Sequence, residues 1–402
     1  MISYKEAKEI LHNEFKNLTL KTEQVDLINS INRILAEDII SDINLPPFDN
    51  SAMDGFAIKF NPEITKWKIL GEIPAGKFHE YKLNEYSAVS IMTGGKLPSE
   101  CDTVIPVEDV DIENDHIKLK EGSRFVKGIN IRKQGEDLVK NSMALQKNTL
   151  LKPHHIAVAA ACGKSTLKVY RKLRIGVMAT GDELVDIHET PTDDKIRCSN
   201  LYSLISAVKE INMHSVNFGI TKDIKELIYD RMKWALESDL DILITTGGVS
   251  VGKFDYVKEV HESLGVNIKF WRVKIKPGKP VLFGIYQKGG KTILVFGLPG
   301  NPVSCLVNFY LFIRENIYKL FNLEISKKFT ANLDEDLKKE DKKRHFMRGF
   351  YSLDNNGKYH VKKVGSQSSG NVSEMGKANC LMIIEEERTN PKKGEKVECM
   401  MM

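Results

Sequence analysis

The sequence predicts a mixed α/β multidomain protein: a central doubly wound parallel-sheet α/β unit, two small β-rich regions and a helical or extended linking region. Three observations carry this. From Leu173 to about Phe321, short apolar strands alternate with amphipathic helices through glycine loops, the pattern of a parallel sheet covered on both faces. From about 45 to 140, and again beyond residue 344, short apolar stretches are punctuated by Gly and Pro, which is all-β patterning. The 402 residues exceed the ~100–200 of a typical domain.

Element by element, residues 1–15 read as an amphipathic helix with Ser3 as N-cap and Glu6 completing a capping box. Residues 20–45 continue in helix-like periodicity and stop at Pro46-Pro47. The β-rich stretch follows, and 153–161 returns to helix. The α/β unit then reads as strand 174–179, helix 201–211 capped by Asn200, strand 215–219, helix 224–236 capped by Asp223 and strand 242–245. Helix 256–264, strand 269–273, strand 293–296 and a long helix from Pro302 complete it. The charge run 333–344 reads as a solvated linker and strand edge, and the tail to Met402 as a small β domain.

Composition excludes several classes. Hydrophobic residues at 42% and charged residues at 28% rule out disorder as the dominant state. Lys and Arg total 59 against 54 Asp and Glu, so the net charge of 59 − 54 = +5 is too mild for a nucleic-acid footprint, though compatible with a small anionic ligand. Six cysteines without a CxxC pair exclude the usual zinc spacings and a disulfide scaffold. The N-terminus has no apolar h-region, and the longest apolar run, Ile156 to Cys162, is far short of the ~20 residues that span a bilayer. The expectation is a soluble cytoplasmic protein.

Two familiar motifs fail. Ala161–Thr166 looks like the end of a P-loop, but Val158 stands where its first glycine belongs and a helix precedes it. No GxGxxG opens the α/β unit, and adjacent His154 and His155 fall on different helix faces. The informative pattern is positional, because an open parallel sheet collects ligands outside the carboxyl ends of its strands. Those ends carry Thr180-Gly181-Asp182-Glu183, Gly247–Gly252 with Asp255 beyond, Lys276-Pro277-Gly278-Lys279-Pro280 and Gly297–Pro302. Glycine lets backbone approach a ligand, and helix N-termini offer N–H groups to phosphate. Arg272, Lys274, Lys276 and Lys279 suit an oxyanion, whereas Glu183, Asp223 and Asp255 repel one unless a divalent cation lies between. A second constellation runs from Pro47 to Ala57, with too many Asp, Asn and Ser residues for a plain turn. A third, Asn130–Asp137, sets Arg132 beside two carboxylates.

The stretches Ser51–Gly55, Gly247–Gly252 with Asp255-Tyr256, Lys276–Pro280 and Gly297–Ser304 resemble, in order, the MoeA family of molybdopterin molybdenumtransferases, which share their fold with the C-terminal domain of gephyrin. The resemblance implies an elongated, homodimeric subunit. It divides the chain into an N-terminal helix at 1–20 packing on the α/β domain or its partner, and a linking and dimerisation domain at 21–45 plus 138–170. The remaining parts are a β-rich domain at 46–137, a molybdopterin-binding α/β domain at 171–325 and a C-terminal β domain at 326–402. The implied reaction inserts molybdate into adenylylated molybdopterin and releases AMP, with Mg²⁺ required and transient contact with other cofactor-synthesis proteins. No nucleic-acid or membrane partner is implied.

Carried over by position, Asp54, Asp137, Glu183, Asp223 and Asp255 are catalytic, and the last three hold the metal. Thr93, Arg132, Gly181, Gly247, Gly248, Ser250, Gly252, Arg272, Lys276, Lys279, Pro299, Asn301, Arg348 and Ser369 contact substrate. The chain departs from the family at Ser368, often Gly, and at Arg272, Lys in some relatives, where a planar fork replaces a point charge. Two other readings compete. A molybdopterin adenylyltransferase would resemble only the α/β unit, and a gephyrin-like scaffold would bind receptor tails without catalysis.

Overall fold

The first helix, α1 (Tyr4–Lys16), starts as its capping box predicts: the Glu6 amide donates to Ser3 Oγ at 3.1 Å, and the Ser3 amide to Glu6 Oε2 at 2.8 Å. Its buried face, Ala7, Leu11 and Phe15, repeats at four-residue spacing and is the face an amphipathic helix turns to a core. The structure is a computed structural model and describes residues 1–74, 76–248, 256–323 and 328–402. The chain forms two units, one of residues 24–169 and one of 1–23 with 170–402.

Within residues 24–169, the helix-like periodicity of 20–45 is overridden. Thr22–Asp26 is extended, Leu27–Asn29 is a single 3₁₀ turn, and Asn32 has φ of +60°. The cause is non-local pairing. The amides of Asn32 and Leu35 donate to Leu151 and Thr149 carbonyls, and the Ala36 amide to the Lys168 carbonyl. Leu35 and Ile39 are thereby buried against Leu151, Ala159, Leu167 and Val169. Residues 45–140 are β-rich as predicted. β1 (Asn50–Ser51) leads to β2 (Gly55–Ile58), β3 (Lys66–Ile73), β4 (Ser87–Ile91), β5 (Thr103–Pro106), β6 (Val110–Glu113), β7 (His116–Leu119) and β8 (Ile131–Arg132). Strands β2–β7 form one sheet in the order β5-β2-β4-β3-β7-β6 around Trp67 and Ile105, and β8 pairs antiparallel with β1. The predicted helix appears as α2 (Pro153–Ala161).

The other unit is built on β9 (Arg174–Thr180), α3 (Ser199–Glu210), β10 (His214–Thr221), α4 (Lys225–Glu237), β11 (Ile242–Thr246) and α5 (Tyr256–Ser263). β12 (Asn267–Phe270), β13 (Ile275–Lys276), β14 (Leu282–Lys288), β15 (Lys291–Leu298) and α6 (Pro302–Asn308) follow, the last running on through a π segment at Phe309–Arg314 to Leu320. The sheet order is β10-β9-β11-β15-β14-β12. Four strands are parallel, but β14 is antiparallel to both neighbours, so the sheet is mixed rather than all parallel. The hairpin β14–β15 turns at Gly289-Gly290, both at positive φ, a signal the strand reading passed over. Met178, Leu243 and Val295 face α4 and α5 on one side. Phe296, of opposite parity, meets Phe15 of α1 on the other, ring centroids 6.2 Å apart. The predicted strand 269–273 ends at Phe270.

After residue 327, β16 (Lys328–Leu333), β17 (Arg344–Leu353), β18 (Tyr359–Lys363), β19 (Cys380–Ile384) and β20 (Lys396–Met401) close on themselves in the order β17-β18-β16-β20-β19, with β13 paired parallel to β17. The charge run is not wholly solvated. Leu337 enters this core, and the buried Lys339 donates from Nζ to the carbonyls of Asp341 and Glu386, each at 2.8 Å. Among the described residues, no helix is long and apolar enough to cross a membrane.

Candidate active site

The four parallel strands run β9, β10, β11, β15 in the chain but β10-β9-β11-β15 in space, so the connections leaving β9 and β11 diverge. Such a switch point opens a crevice at the carboxyl ends. A cavity of about 640 Å³ lies there, lined by Thr180, Glu183, Asp223, Gly247, Gly248, Pro280, Pro299, Gly300, Asn301 and Gly370, among others. The predicted glycine loops therefore do converge. Gly247 has φ of +94°, and a Cβ there would sit 2.2 Å from the Thr180 carbonyl oxygen, so no other residue lets these loops meet. At Gly181 a Cβ would lie 2.7 Å from both carboxylate oxygens of Glu183, which folds back over the glycine.

Two predicted caps are reassigned. The residue preceding α4 as N-cap is Ile224, not Asp223, which instead lines the cavity and donates its amide to Asp182 Oδ1 at 3.1 Å. Asn200 is not the cap of α3, which starts after Cys198. Its amide nitrogen donates to Thr246 Oγ1 at 2.9 Å and to the Gly300 carbonyl at 2.7 Å, and Thr246 Oγ1 donates on to the Pro299 carbonyl at 3.1 Å. Asn200 thus ties the end of β11 to the loop after β15. Sequence reasoning missed Asn200 and Thr246 as site residues, whose only signal was polarity at a strand end or in a first helical turn, and it named Thr180 only as part of the Thr180–Glu183 strand end.

The Lys276–Pro280 turn passes beside this cavity. Val273 and Ile275 are buried while Lys274 and Lys276 are exposed, the alternation of an extended strand, and the Val273 amide donates to the Lys279 carbonyl at 3.1 Å, which brings Lys279 round through the Pro277-Gly278 turn. Pro280 lines the cavity, while Lys276 and Pro277 line a smaller one of about 290 Å³ with Lys338, His345 and Lys363. The cations are not free of carboxylates: Lys276 Nζ lies 3.9 Å from Asp341, which also accepts from His345 Nε2 at 2.8 Å. Arg272 stacks on Trp271 at 4.6 Å. Arg348 is buried, and its guanidinium donates to the carbonyls of Ser366, Ser368 and Asn371. It holds the loop whose Ser369 carbonyl accepts from the Val303 amide at the start of α6, with Gly370 in the cavity wall.

In the 24–169 unit, the two other constellations come together. β8 pairs Ile131 with Ser51 and Arg132 with Asn50, and the Gly94 amide donates to the Ser51 carbonyl. Thr93 donates from both its amide and hydroxyl to Asp54 Oδ1 at 2.7 Å, holding that carboxyl below its ordinary range. Arg132 and Asp137 form a close ion pair, and Lys133 Nζ reaches Asp49 at 2.8 Å.

Ser250, Gly252 and Asp255 lie outside the described residues. Among the described residues no three His, Cys, Asp or Glu side chains group as a metal cage. Mg²⁺ binds through one or two carboxylates, with phosphates and water completing its shell, and the wall carrying Glu183 and Asp223 fits that donor set.

Fold and site define a multidomain protein whose central α/β domain holds a small-molecule cavity at its switch point. Family models described as MoeA N-terminal region (domain I and II), probable molybdopterin binding domain and MoeA C-terminal region (domain IV) match residues 2–163, 176–319 and 330–401. A Haemophilus influenzae protein named molybdopterin molybdenumtransferase is 37% identical over 383 residues, covering 94% of this chain and 93% of that protein. A Bacillus subtilis protein of the same name is 33% identical, covering 90% and 86%. A crystal structure of a molybdopterin biosynthesis moeA protein from Pyrococcus horikoshii OT3 superposes with a TM-score of 0.84 at 28% identity, covering 100% of both chains. The chain belongs to the MoeA family, whose curated members are transferases.

Proposed function

We propose that the protein inserts molybdate into adenylylated molybdopterin and releases AMP, in an Mg²⁺-dependent reaction that completes the molybdenum cofactor. The carrying observation is the cavity at the carboxyl ends of β9, β11 and β15, where carboxylates and glycine loops face one space. Bound Mg²⁺, held by Glu183, Asp223 and, in the sequence reading, Asp255, would supply charge neutralisation at the phosphoanhydride. Gly247 and Gly248 put backbone with no side chain into the cavity wall. Lys276 and Lys279, exposed on one turn, suit gathering molybdate as substrate. Asp54, which accepts two hydrogen bonds from Thr93, stays ionised for a charge-placing role. All six cysteines are buried and free, and burial pushes the Cys101 and Cys305 thiols up to about 12, so neither of these two is poised as a thiolate nucleophile. The chemistry is positioning and electrostatics. We further expect a homodimer, as the family resemblance implies, which sedimentation of the purified protein measures.

The test is an insertion assay with purified protein, adenylylated molybdopterin, molybdate and Mg²⁺. Active cofactor and stoichiometric AMP should form, with turnover falling by roughly tenfold or more in Glu183→Gln. Wild-type protein that yields neither product under these conditions would sink the reading. Family matches at 2–163 and 330–401, outside the α/β domain, count against an adenylyltransferase.

A further inference from the structure

Asn308, the last residue of α6, is completely buried, so no ligand reaches it. Its amide nitrogen donates to the Gly278 carbonyl at 3.2 Å, and its Oδ1 has no partner among the described residues. The orientation is fixed, because a carbonyl can only accept and must face the nitrogen. One long hydrogen bond set against an unpaired buried oxygen contributes little to stability. A buried amide that does so little for the fold needs another explanation, and Gly278 supplies it. Gly278 is the apex of the Lys276–Pro280 turn, with φ of +90°, and a Cβ there would lie 2.7 Å from Asn308 Oδ1. The turn is therefore seated directly on the Asn308 amide. Two residues to either side of the apex, Lys276 and Pro280 line different cavities, so its tilt decides where Lys276 and Lys279 project.

We propose that Asn308 is a positioning residue that holds the Lys276–Pro280 turn in register with the cavity at the carboxyl ends of the strands. The inference rests on the reading of that turn as the place where molybdate is gathered. The helix makes the connection. α6 begins at Pro302 in the cavity wall, and Asn308 lies about 9 Å further along its axis at ~1.5 Å per residue. The same helix is tied to the end of β11, because the Cys305 thiol donates to Thr246 Oγ1 at 3.5 Å. Its π segment begins at Phe309, so the regular helical face that meets the turn ends with Asn308. The strand leading into the turn is fixed separately: the Ile2 amide donates to the Arg272 carbonyl at 3.0 Å, and the Lys274 amide to the Ile2 carbonyl at 2.9 Å. What Asn308 sets is the apex. One end of α6 lines the cavity and the other carries the turn, which fixes the separation between bound pterin and arriving oxyanion.

Steady-state insertion assays on the full-length protein, varying molybdate and adenylylated molybdopterin separately, test this. If the wild type inserts no molybdate, the functional reading itself fails. If it does, Asn308→Leu should raise KM for molybdate by about fivefold to tenfold and leave KM for the pterin within about twofold. Its melting temperature should stay nearly level, because leucine removes the unpaired oxygen together with the hydrogen bond at similar volume. Asn308→Ser, whose hydroxyl is one bond shorter than the amide, should act in the same direction. Gly278→Ala attacks the same contact from the turn and should also raise the molybdate KM. Combined with Asn308→Leu, it should exceed the larger single effect by less than about twofold, since both break one contact. A merely structural role would lower the melting temperature and impair both substrates together. Loss of folding in both Asn308 variants would assign that structural role. An unchanged molybdate KM in folded Asn308→Leu overturns the proposal, and so do effects at 278 and 308 that multiply independently.

Discussion

His261 on α5 is fully buried, and neither ring nitrogen has a partner among the described residues. Burial pushes its pKa down to about 4 from 6.5. The unfolded chain therefore takes up the proton first as pH falls, and stability is lost through the window from about 6.5 to 4. Going from pH 7 to 5 should cost about 2 kcal/mol from this group alone. His261→Leu should flatten that part of the pH profile in urea denaturation, and a slope equal to that of the wild type would contradict it. His360 has the opposite sign. Asp334 at 2.9 Å and Asp354 at 3.5 Å raise its pKa, so its contribution is full below the unfolded value and fades as pH climbs through the folded one. NMR titration of the two imidazoles should place them on opposite sides of an ordinary histidine. Neither shift was legible in the sequence, because burial and cross-strand neighbours create both. Gly247 was legible, because only glycine tolerates its approach to the Thr180 backbone, whereas Gly181 is crowded by the Glu183 carboxylate.

At the scale of elements, strands and helices with strong local periodicity were readable, and those decided by distant partners were not. The segment 20–45 carries helical spacing, but its backbone is claimed by residues 148–151 and 168. Strand β14 was missed although Leu282–Tyr286 is an unbroken buried run like β11, because it enters the sheet as a hairpin partner of β15 with no helix between them, outside the strand–helix alternation that guided the reading. Asp223 and Asn200 looked like caps because short polar residues before an apolar run suit both a cap and a cavity wall. Since Asp223 is not the N-cap of α4, Asp223→Ala should depress turnover without the loss of about 1 kcal/mol expected for a cap, read from activity and melting together. The loop 366–371 yields a second expectation. Arg348 reaches three of its carbonyls, which a lysine ammonium on a single stem cannot match. Arg348→Lys should lower stability by about 2 kcal/mol and speed amide exchange selectively in residues 366–371. Protection there equal to wild type would show that the loop does not depend on Arg348.

Across the whole molecule, the order of glycine-bearing strand ends made the switch-point cavity readable, because topology alone sends those ends to one edge. Which charges face which was not readable, and the Lys276–Pro280 turn shows why. On the sequence, Arg272, Lys274, Lys276 and Lys279 form a cationic stretch without a carboxylate nearby, yet folding brings Asp341 from the charge run to 3.9 Å from Lys276. The repulsion that an oxyanion would relieve is therefore already reduced. Molybdate should still raise the melting temperature by mass action, since Lys279 remains exposed beside the cavity-lining Pro280. Tungstate, of the same shape and charge, should act alike and sulfate less. Lys276→Glu should abolish the shift, and Asp341→Asn should enlarge it by removing the competing carboxylate. A net charge of only +5 makes bulk attraction of anions weak, so the response should be specific rather than a property of the whole surface. Melting measured at matched ionic strength separates the two, because screening treats every salt alike. A shift that follows ionic strength and shows no preference for molybdate would remove the oxyanion site from this turn.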